Sequence, residues 1–132
     1  MRAEARRWFR QAEADLEAAK HSLASGDYEW SCFQAQQSAE KLCKALLYDR
    51  GRTTYLTHSV KELWEAVRQF EPACPDLREA ATALDQIYLS TRYPNGLAGE
   101  QAPADYYGQE DAQRCVQWAE LIWTALRPYL KP

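Results

Sequence analysis

One long helical pattern constrains the fold of this chain more than any other feature of its sequence. It runs from Asp27 to Gly51 (DYEWSCFQAQQSAEKLCKALLYDRG), starts at a residue type that favours helix N-caps and ends at a glycine. A rotation of about 100° per residue places one group of apolar side chains on a continuous stripe and leaves others outside it. The stripe consists of Tyr28, Cys32, Ala35, Ala39, Leu42 and Leu46, and the side chains outside it are Trp30, Phe33, Leu47 and Tyr48. A helix with apolar contacts on more than one side is expected in the middle of a bundle.

A row of polar residues lies beside this stripe. Gln36 and Glu40 are one helical turn apart, and Lys44 follows one turn later. Residues four positions apart are neighbours on a helix surface, so these side chains flank the buried face together. Such a row has two interpretations, because it either solvates the edge of a core helix or contributes to a binding site.

Helical periodicity also occurs before and after this stretch. Residues 3–24 repeat apolar side chains every three or four positions, and Gly26 leaves only a very short turn before the next helix. Two long helices joined so tightly are expected to form an antiparallel hairpin. A third helix is predicted to begin at Ser59, which forms a capping-box pattern with Glu62, and to end before the EPACP segment.

Two more helices complete the predicted architecture. Pro75 opens the fourth, at residues 76–91, and acidic residues open the last, at residues 110–126. Residues 92–108 show no periodicity, and a loop of this length inside a domain is more often functional than a short connection is. No segment shows the two-residue period of a strand. We therefore predict an all-α single domain over residues 1–132, folded as an antiparallel up-and-down helical bundle of four longer helices plus one short helix.

The composition limits the classes of function. The 132 residues include 46% hydrophobic and 27% charged residues, which is an ordinary globular balance, and the formal net charge is −3. Proteins that coat nucleic acid are normally basic, so this class is disfavoured, although a local basic groove is compatible with the charge. No apolar run approaches the roughly 20 residues that cross a bilayer, and the charged N-terminal segment lacks the apolar core of a secretion signal. We therefore expect a cytoplasmic protein with no membrane contact.

The cysteines do not indicate a metal site. Cys32, Cys43, Cys74 and Cys115 are widely separated, no C-x-x-C pair occurs, and the sequence contains only 2 histidines. Cys32 and Cys115 fall on the apolar faces of their predicted helices. We interpret the cysteines as buried, reduced thiols and predict neither a metal nor another cofactor.

Two basic residues are candidates for ligand contacts. His58 immediately precedes the third helix, where its imidazole either acts as an acid or base near neutral pH or serves as a hydrogen-bonded cap. Arg92 lies at the predicted end of the fourth helix, beside the irregular segment. A guanidinium group there suits phosphate or carboxylate recognition, or it forms an ion pair with Asp85 or Glu40 that fixes the loop.

The irregular segment contributes two aromatic candidates. Tyr106 and Tyr107 belong to no helical pattern, so they are available to stack on a base or to pack against a partner chain. The sequence contains no G-x-S-x-G motif and no phosphate-cradling glycine loop. The residues alone therefore predict a helical bundle with a polar cleft and do not assign a reaction.

Four stretches together resemble a HEPN domain, the "higher eukaryotes and prokaryotes nucleotide-binding" domain, over nearly the whole chain. These stretches are DLEAAKHSLASGDYEWSCFQAQQSAEKLCKALL, THSVKEL, ALDQIYLSTRYPNG and PADYYGQEDAQRCVQWAELI. The resemblance implies an up-and-down helical bundle that commonly pairs as a homodimer. It also implies a nucleotidyltransferase as the partner chain, in a module of the toxin–antitoxin type.

The resemblance further implies metal-independent ribonuclease activity in many members, which use an arginine followed four to six residues later by a histidine. Arg92 occupies the region of that arginine, but residues 93–99 contain no histidine. The general acid or base of RNA cleavage would then be His58, from another part of the chain.

Three functional hypotheses follow from these residues and from the resemblance. The preferred one is a non-catalytic, dimeric partner of a nucleotidyltransferase that binds a nucleotide or a phosphorylated ligand. The alternatives are a ribonuclease toxin that acts on RNA and a dimer with a purely structural role. The predicted ligand-binding residues are Glu40, Lys44, His58, Arg92, Tyr93 and Tyr107.

Overall fold

Helices form most of the computed structural model, which describes residues 1–52, 54 and 57–131. No strand occurs within this part of the chain, so the all-α prediction is confirmed. Two single turns of 3-10 helix, Pro94–Gly96 and Arg127–Tyr129, accompany the α-helices. The α-helices are α1 (Ala3–Ser25), α2 (Tyr28–Asp49), α3 (Val60–Phe70), α4 (Arg78–Ile87), α5 (Pro103–Tyr106) and α6 (Gln109–Leu126).

The first two helices form the predicted hairpin. Gly26 closes α1 with a φ of 86°, a left-handed conformation that favours glycine. The backbone N–H groups of Gly26 and Asp27 donate to the carbonyl groups of Leu23 and Ser22, which satisfies the end of α1. α2 therefore starts at once and runs back along α1.

α2 lies at the centre of the bundle, as its apolar pattern predicts, and it contacts α1, α3, α4, α5 and α6. Two small hydroxyl groups on α2 bond to its neighbours. Ser31 Oγ donates to the carbonyl of Ala19, and Ser38 Oγ donates to the carbonyl of Ala12, both at 2.7 Å. Ser38 Oγ also accepts a hydrogen bond from Trp123 Nε1 of α6 at 2.8 Å. These buried polar groups all have partners, so their hydrogen bonds compensate for the loss of water and connect the three long helices.

The cysteines contribute to this core. Cys32, Cys43, Cys74 and Cys115 are all buried and free. Their predicted burial is thus confirmed. Within the described residues, no helix is long and apolar enough to span a membrane.

The fourth helix is shorter than predicted, because α4 starts at Arg78 and ends at Ile87 instead of spanning residues 76–91. At its start, Asp76 stays outside the helix and its Oδ1 accepts from the N–H of Arg78 at 2.9 Å. At its end, residues 88–92 continue as turns that lead to the extended Tyr93, because the proline that follows excludes a helical conformation there.

The segment 92–108 contains structure that its sequence pattern does not reveal. α5 is only 4 residues long, too short for any apolar period to appear. Gly96 approaches the turns after α4 so closely that an added Cβ would lie 2.9 Å from Cα of Ser90. This segment is therefore folded back onto the bundle. In the hydroxyl-rich linker before α3, Thr53, Tyr55 and Leu56 lie outside the described residues.

Candidate functional site

Glu40 is the centre of a buried polar cluster on α2. Its side chain is 3% exposed, and its Oε2 accepts from Lys44 Nζ at 3.0 Å and lies 3.3 Å from His58 Nδ1. Its Oε1 accepts from the side-chain amides of Gln36 at 3.4 Å and Gln37 at 3.3 Å. A buried carboxylate needs such partners, because an unpaired charge would lose its hydration without compensation.

Lys44 is as buried as Glu40, with a side chain that is 5% exposed. Its Nζ lies 5.3 Å from the ring centre of Trp8 on α1. The Trp8 ring in turn stacks on Tyr48, with 5.6 Å between their centres. Glu40 and Lys44 thus lie beneath the surface, where they hold other side chains in place.

His58 forms the solvent-facing end of this cluster. Its side chain is 56% exposed, and its ring stacks on Tyr88 with 5.0 Å between the centres and 15° between the planes. Its backbone carbonyl accepts from the Gln36 amide at 3.1 Å. Because Nδ1 faces Glu40, the second ring nitrogen, Nε2, is left without a protein partner within the described part of the chain.

The N-terminus of α3 fixes the backbone next to His58. Ser59 is the N-cap as predicted, and its Oγ accepts from the N–H of Glu62 at 3.1 Å. Glu62 does not complete the capping box, since its carboxylate accepts from Thr57 Oγ1 instead. Asp85 of α4 supplies the remaining acceptors, at 2.6 Å from the Val60 nitrogen and 2.7 Å from Ser59 Oγ. α4 thereby ties the start of α3, and with it His58, to the bundle.

Arg92 lies on an aromatic surface beside His58. Its Cζ atom is 4.5 Å from the ring centre of Phe33, 4.7 Å from that of Tyr88 and 5.0 Å from that of Tyr93. Its Nε donates to the carbonyl of Tyr88 at 3.4 Å. Within residues 1–52, 54 and 57–131, no carboxylate lies within 4.0 Å of the guanidinium group, and its terminal nitrogens make no hydrogen bond. The alternative in which Asp85 or Glu40 pairs with Arg92 is therefore wrong.

These contacts bring four of the predicted site residues into one region. His58 and Arg92 contact the same tyrosine ring, Tyr93 is 47% exposed beside Arg92, and Glu40 supports His58 from below. We call this region the histidine–arginine site, and it consists of Phe33, His58, Tyr88, Arg92 and Tyr93. It offers anion-binding donors on Arg92, an imidazole nitrogen on His58 and exposed ring surface on Tyr93. No group of three or more His, Cys, Asp or Glu side chains suited to a metal ion occurs among the described residues.

Tyr107 lies elsewhere. It is 7% exposed, belongs to the hydrophobic core and shares a short hydrogen bond with the hydroxyl group of Ser90. Burial raises the pKa of its phenol above the ordinary value. Its ring helps to line a separate cavity of about 450 Å³ between α4, the 96–98 turn and α6. Tyr107 thus does not join the histidine–arginine site, whereas the ring of Tyr106 is 52% exposed.

Two aromatic residues of the site are missing from the predicted set. Phe33 lies outside the main apolar stripe of α2, and Tyr88 precedes Arg92 by one helical turn. Both positions were visible in the sequence, but both side chains also suit a core. Only the structure shows that the guanidinium group of Arg92 covers the rings of both Phe33 and Tyr88.

Comparisons with known proteins give consistent results. A model of the HEPN domain family matches residues 5–129. A protein of Methanocaldococcus jannaschii named "Putative toxin MJ1304" is 29% identical over 135 residues, which cover 96% of this chain and 88% of that protein. Sacsin of Homo sapiens is 32% identical over 133 residues, which cover 97% of this chain but span only 3% of the length of sacsin.

Two solved structures have the same fold. The crystal structure of TT1696 from Thermus thermophilus has a TM-score of 0.87 and 36% identity, covering 98% of this chain and 100% of that one. ST0689, described as an archaeal HEPN homologue, has a TM-score of 0.77 and 35% identity, covering 96% of this chain and 98% of the other.

Proposed function

The chain belongs to the HEPN domain family, and we propose that it is a dimeric, non-catalytic partner of a nucleotidyltransferase that binds a nucleotide or another phosphorylated ligand. The ligand would occupy the histidine–arginine site. The pair would act as a module of the toxin–antitoxin type, and the archaeal relative whose name contains the word toxin is in keeping with this.

One observation carries the proposal. Arg92 is held over the rings of Phe33, Tyr88 and Tyr93, yet no carboxylate within the described residues neutralises its charge. A guanidinium group orders two parallel hydrogen bonds to phosphate oxygens, and its stacking on rings fixes its plane in advance. The exposed ring of Tyr93 adds a surface on which a base can stack.

The surroundings of this site also suit a protein partner. Trp30, Leu89 and Tyr93 are 49%, 52% and 47% exposed. The Trp30 ring lies 6.3 Å from that of Phe33, and Phe33 lies beneath Arg92. Clusters of exposed tryptophan, tyrosine and arginine are typical of protein–protein contacts. We therefore assign the exposed side chains of Trp30 and Leu89, called the aromatic patch, to the homodimer contact, and leave Tyr93 beside it to the ligand.

Calorimetric titration of the pure protein with nucleoside mono-, di- and triphosphates tests the ligand part of the proposal. Saturable binding by at least one of them is expected. If no nucleotide of this panel binds, either to the protein alone or in the presence of a nucleotidyltransferase encoded beside it, nucleotides are excluded as the ligand.

A ribonuclease is the second candidate, and the Glu40–His58 contact favours it. A histidine oriented by a carboxylate can take the proton of a ribose 2′-hydroxyl as that oxygen attacks the phosphorus, and can then give the proton to the 5′-oxygen that leaves. Arg92 would stabilise the phosphate charge during this step. Incubation of the protein with total RNA separates the two candidates. Cleavage that is lost in both His58→Ala and Arg92→Ala would establish the ribonuclease, whereas RNA that stays intact at high protein concentration would exclude it.

A further inference from the structure

Glu40 is too deeply buried to contact a ligand, but it determines what His58 presents to one. We propose that Glu40 is a positioning residue that fixes His58 in the tautomer protonated at Nδ1. The unprotonated Nε2 then faces the ligand as a hydrogen-bond acceptor.

The hydrogen-bond partners of Glu40 lead to this assignment. A carboxylate accepts about four hydrogen bonds, and Glu40 is surrounded by the donors of Lys44, Gln36 and Gln37 together with His58 Nδ1. Lys44 and both amides donate N–H groups to it, and the ammonium group compensates its charge. A bare Nδ1 lone pair facing this carboxylate at 3.3 Å would be repelled, so Nδ1 carries the hydrogen.

The position of the ring supports the same assignment. The hydrogen bond from the Gln36 amide to the His58 carbonyl fixes the backbone, and the stack on Tyr88 fixes the plane of the imidazole. A half-turn of the ring within this plane would put a ring carbon where Nδ1 lies and so would lose the contact between Nδ1 and Glu40. Since the side chain is 56% exposed, the free nitrogen is directed to a position that a ligand can reach.

The tautomer also narrows the chemistry of the ligand, and this step rests on the proposed function. Arg92 takes the anionic group, whereas His58 in this tautomer accepts a hydrogen bond through Nε2. The preferred ligand thus carries a hydroxyl donor as well as a phosphate, as a ribonucleotide does. A phosphorylated ligand without that hydroxyl group loses one hydrogen bond, and its binding is expected to weaken about fivefold.

Long-range ¹H–¹⁵N correlation spectra of the ligand-free protein test the assignment. They are recorded at pH 8.5, where imidazole is ordinarily neutral. The sequence contains only 2 histidines. His21 is exposed and has no protein partner within the described residues, so it serves as the internal reference. The wild type is expected to show His58 with a pyrrole-type Nδ1 and a pyridine-type Nε2, distinct from the pattern of His21.

Two variants distinguish the effect of Glu40 on His58 from that of the side chains around Glu40. Gln37→Met removes one amide donor but keeps both the carboxylate and its ammonium partner, so it should keep the wild-type pattern of His58. Glu40→Met combined with Lys44→Met replaces the buried ion pair by apolar side chains, which proteins often tolerate, and should give His58 the pattern of His21. An unchanged pattern in the double variant, a His21-like pattern in the wild type, or a loss of the pattern in Gln37→Met would each overturn the assignment to Glu40.

A second measurement keeps this inference distinct from the proposed function. Titrations with adenosine 5′-monophosphate and its 2′,3′-dideoxy form are compared for the wild type. The expected wild-type tautomer together with equal binding of both compounds would refute the ligand assignment and leave the role of Glu40 intact. A His21-like tautomer together with normal nucleotide binding would refute the role of Glu40 and leave the proposed function intact.

Discussion

The guanidinium group of Arg92 lies over the ring of Tyr88, with 4.7 Å between Cζ and the ring centre. The same ring stacks on His58 at 5.0 Å between centres. Tyr88 thus fixes the position of the cation relative to the imidazole. Removal of the ring would take away the packing contact that the guanidinium group and the imidazole share.

Replacing Tyr88 by leucine tests this relationship. Tyr88→Leu removes the ring that supports Arg92 and His58, and nucleotide affinity should fall about tenfold. Tyr88→Phe keeps the ring, and the hydroxyl group makes no hydrogen bond within the described residues, so this conservative variant should bind within about twofold of the wild type. Equal affinities for the leucine and phenylalanine variants in calorimetric titrations would contradict a role of the ring.

Asp85 is expected to contribute strongly to stability. Asp85→Ala leaves the N–H groups of Val60 and Lys61 and the hydroxyl group of Ser59 without their shared acceptor. The free energy of unfolding in urea should fall by about 2 kcal/mol, since a cap and a charged hydrogen-bond acceptor are lost together. The exposed Glu79 on the same helix is the control, and Glu79→Ala should change the free energy of unfolding by less than about 0.5 kcal/mol. Similar values for both variants would exclude Asp85 as an anchor of α3.

The sequence predicts the helical framework well, because the framework follows from local patterns. The apolar period of α2 and the turn at Gly26 define the central hairpin before any packing is considered. Ser59 is likewise correctly predicted as the N-cap of α3. The premature end of α4 at Ile87 was missed, since the turns at residues 88–92 still satisfy a helical apolar pattern.

The site is less predictable than the framework, because its contacts join residues that are far apart in the chain. The sequence marks Glu40 as a polar residue beside a buried face and His58 as the residue before the third helix, but it does not show that the two are in contact. It also allows Arg92 to pair with Asp85 or Glu40. In the structure, Asp85 accepts from the start of α3 and Glu40 accepts from Lys44. These choices depend on the packing of α2, α3 and α4 together.

Alkaline pH should destabilise the protein. Burial raises the pKa of the Cys43 thiol above its ordinary value of 9.0, so the folded state keeps a proton that the unfolded state releases. Above about pH 9 the unfolded state therefore binds fewer protons, and the free energy of unfolding falls by up to about 1.4 kcal/mol per pH unit for this thiol. Urea unfolding under reducing conditions from pH 8 to pH 10.5 measures how steeply the free energy of unfolding falls with pH. Cys43→Ala should make this fall less steep, and equal slopes in the wild type and the variant would contradict the role of the Cys43 thiol.

The aromatic patch is predicted to mediate the homodimer. Leu89→Glu places a charge beside Trp30 and should shift the protein to monomers in sedimentation velocity. Leu121 on α6 is equally exposed, at 53% against 52% for Leu89, so Leu121→Glu is the matched control. A wild type that is already monomeric at high concentration, or dissociation caused equally by both changes, would exclude this patch as the contact.

Nucleotide binding by Arg92 is the central claim, and comparison with a second arginine tests it most directly. Arg114 on α6 is exposed, whereas Arg92 is partly buried; like Arg92, it forms no ion pair within the described residues, and it lines the separate cavity. Calorimetric titrations of the wild type, Arg92→Ala and Arg114→Ala use the tightest-binding nucleotide of the panel. Affinity should fall at least tenfold in Arg92→Ala, since a charge-assisted hydrogen-bonded contact contributes about 1.5–3 kcal/mol, and it should stay within about twofold of the wild type in Arg114→Ala. Wild-type affinity in Arg92→Ala would contradict the account.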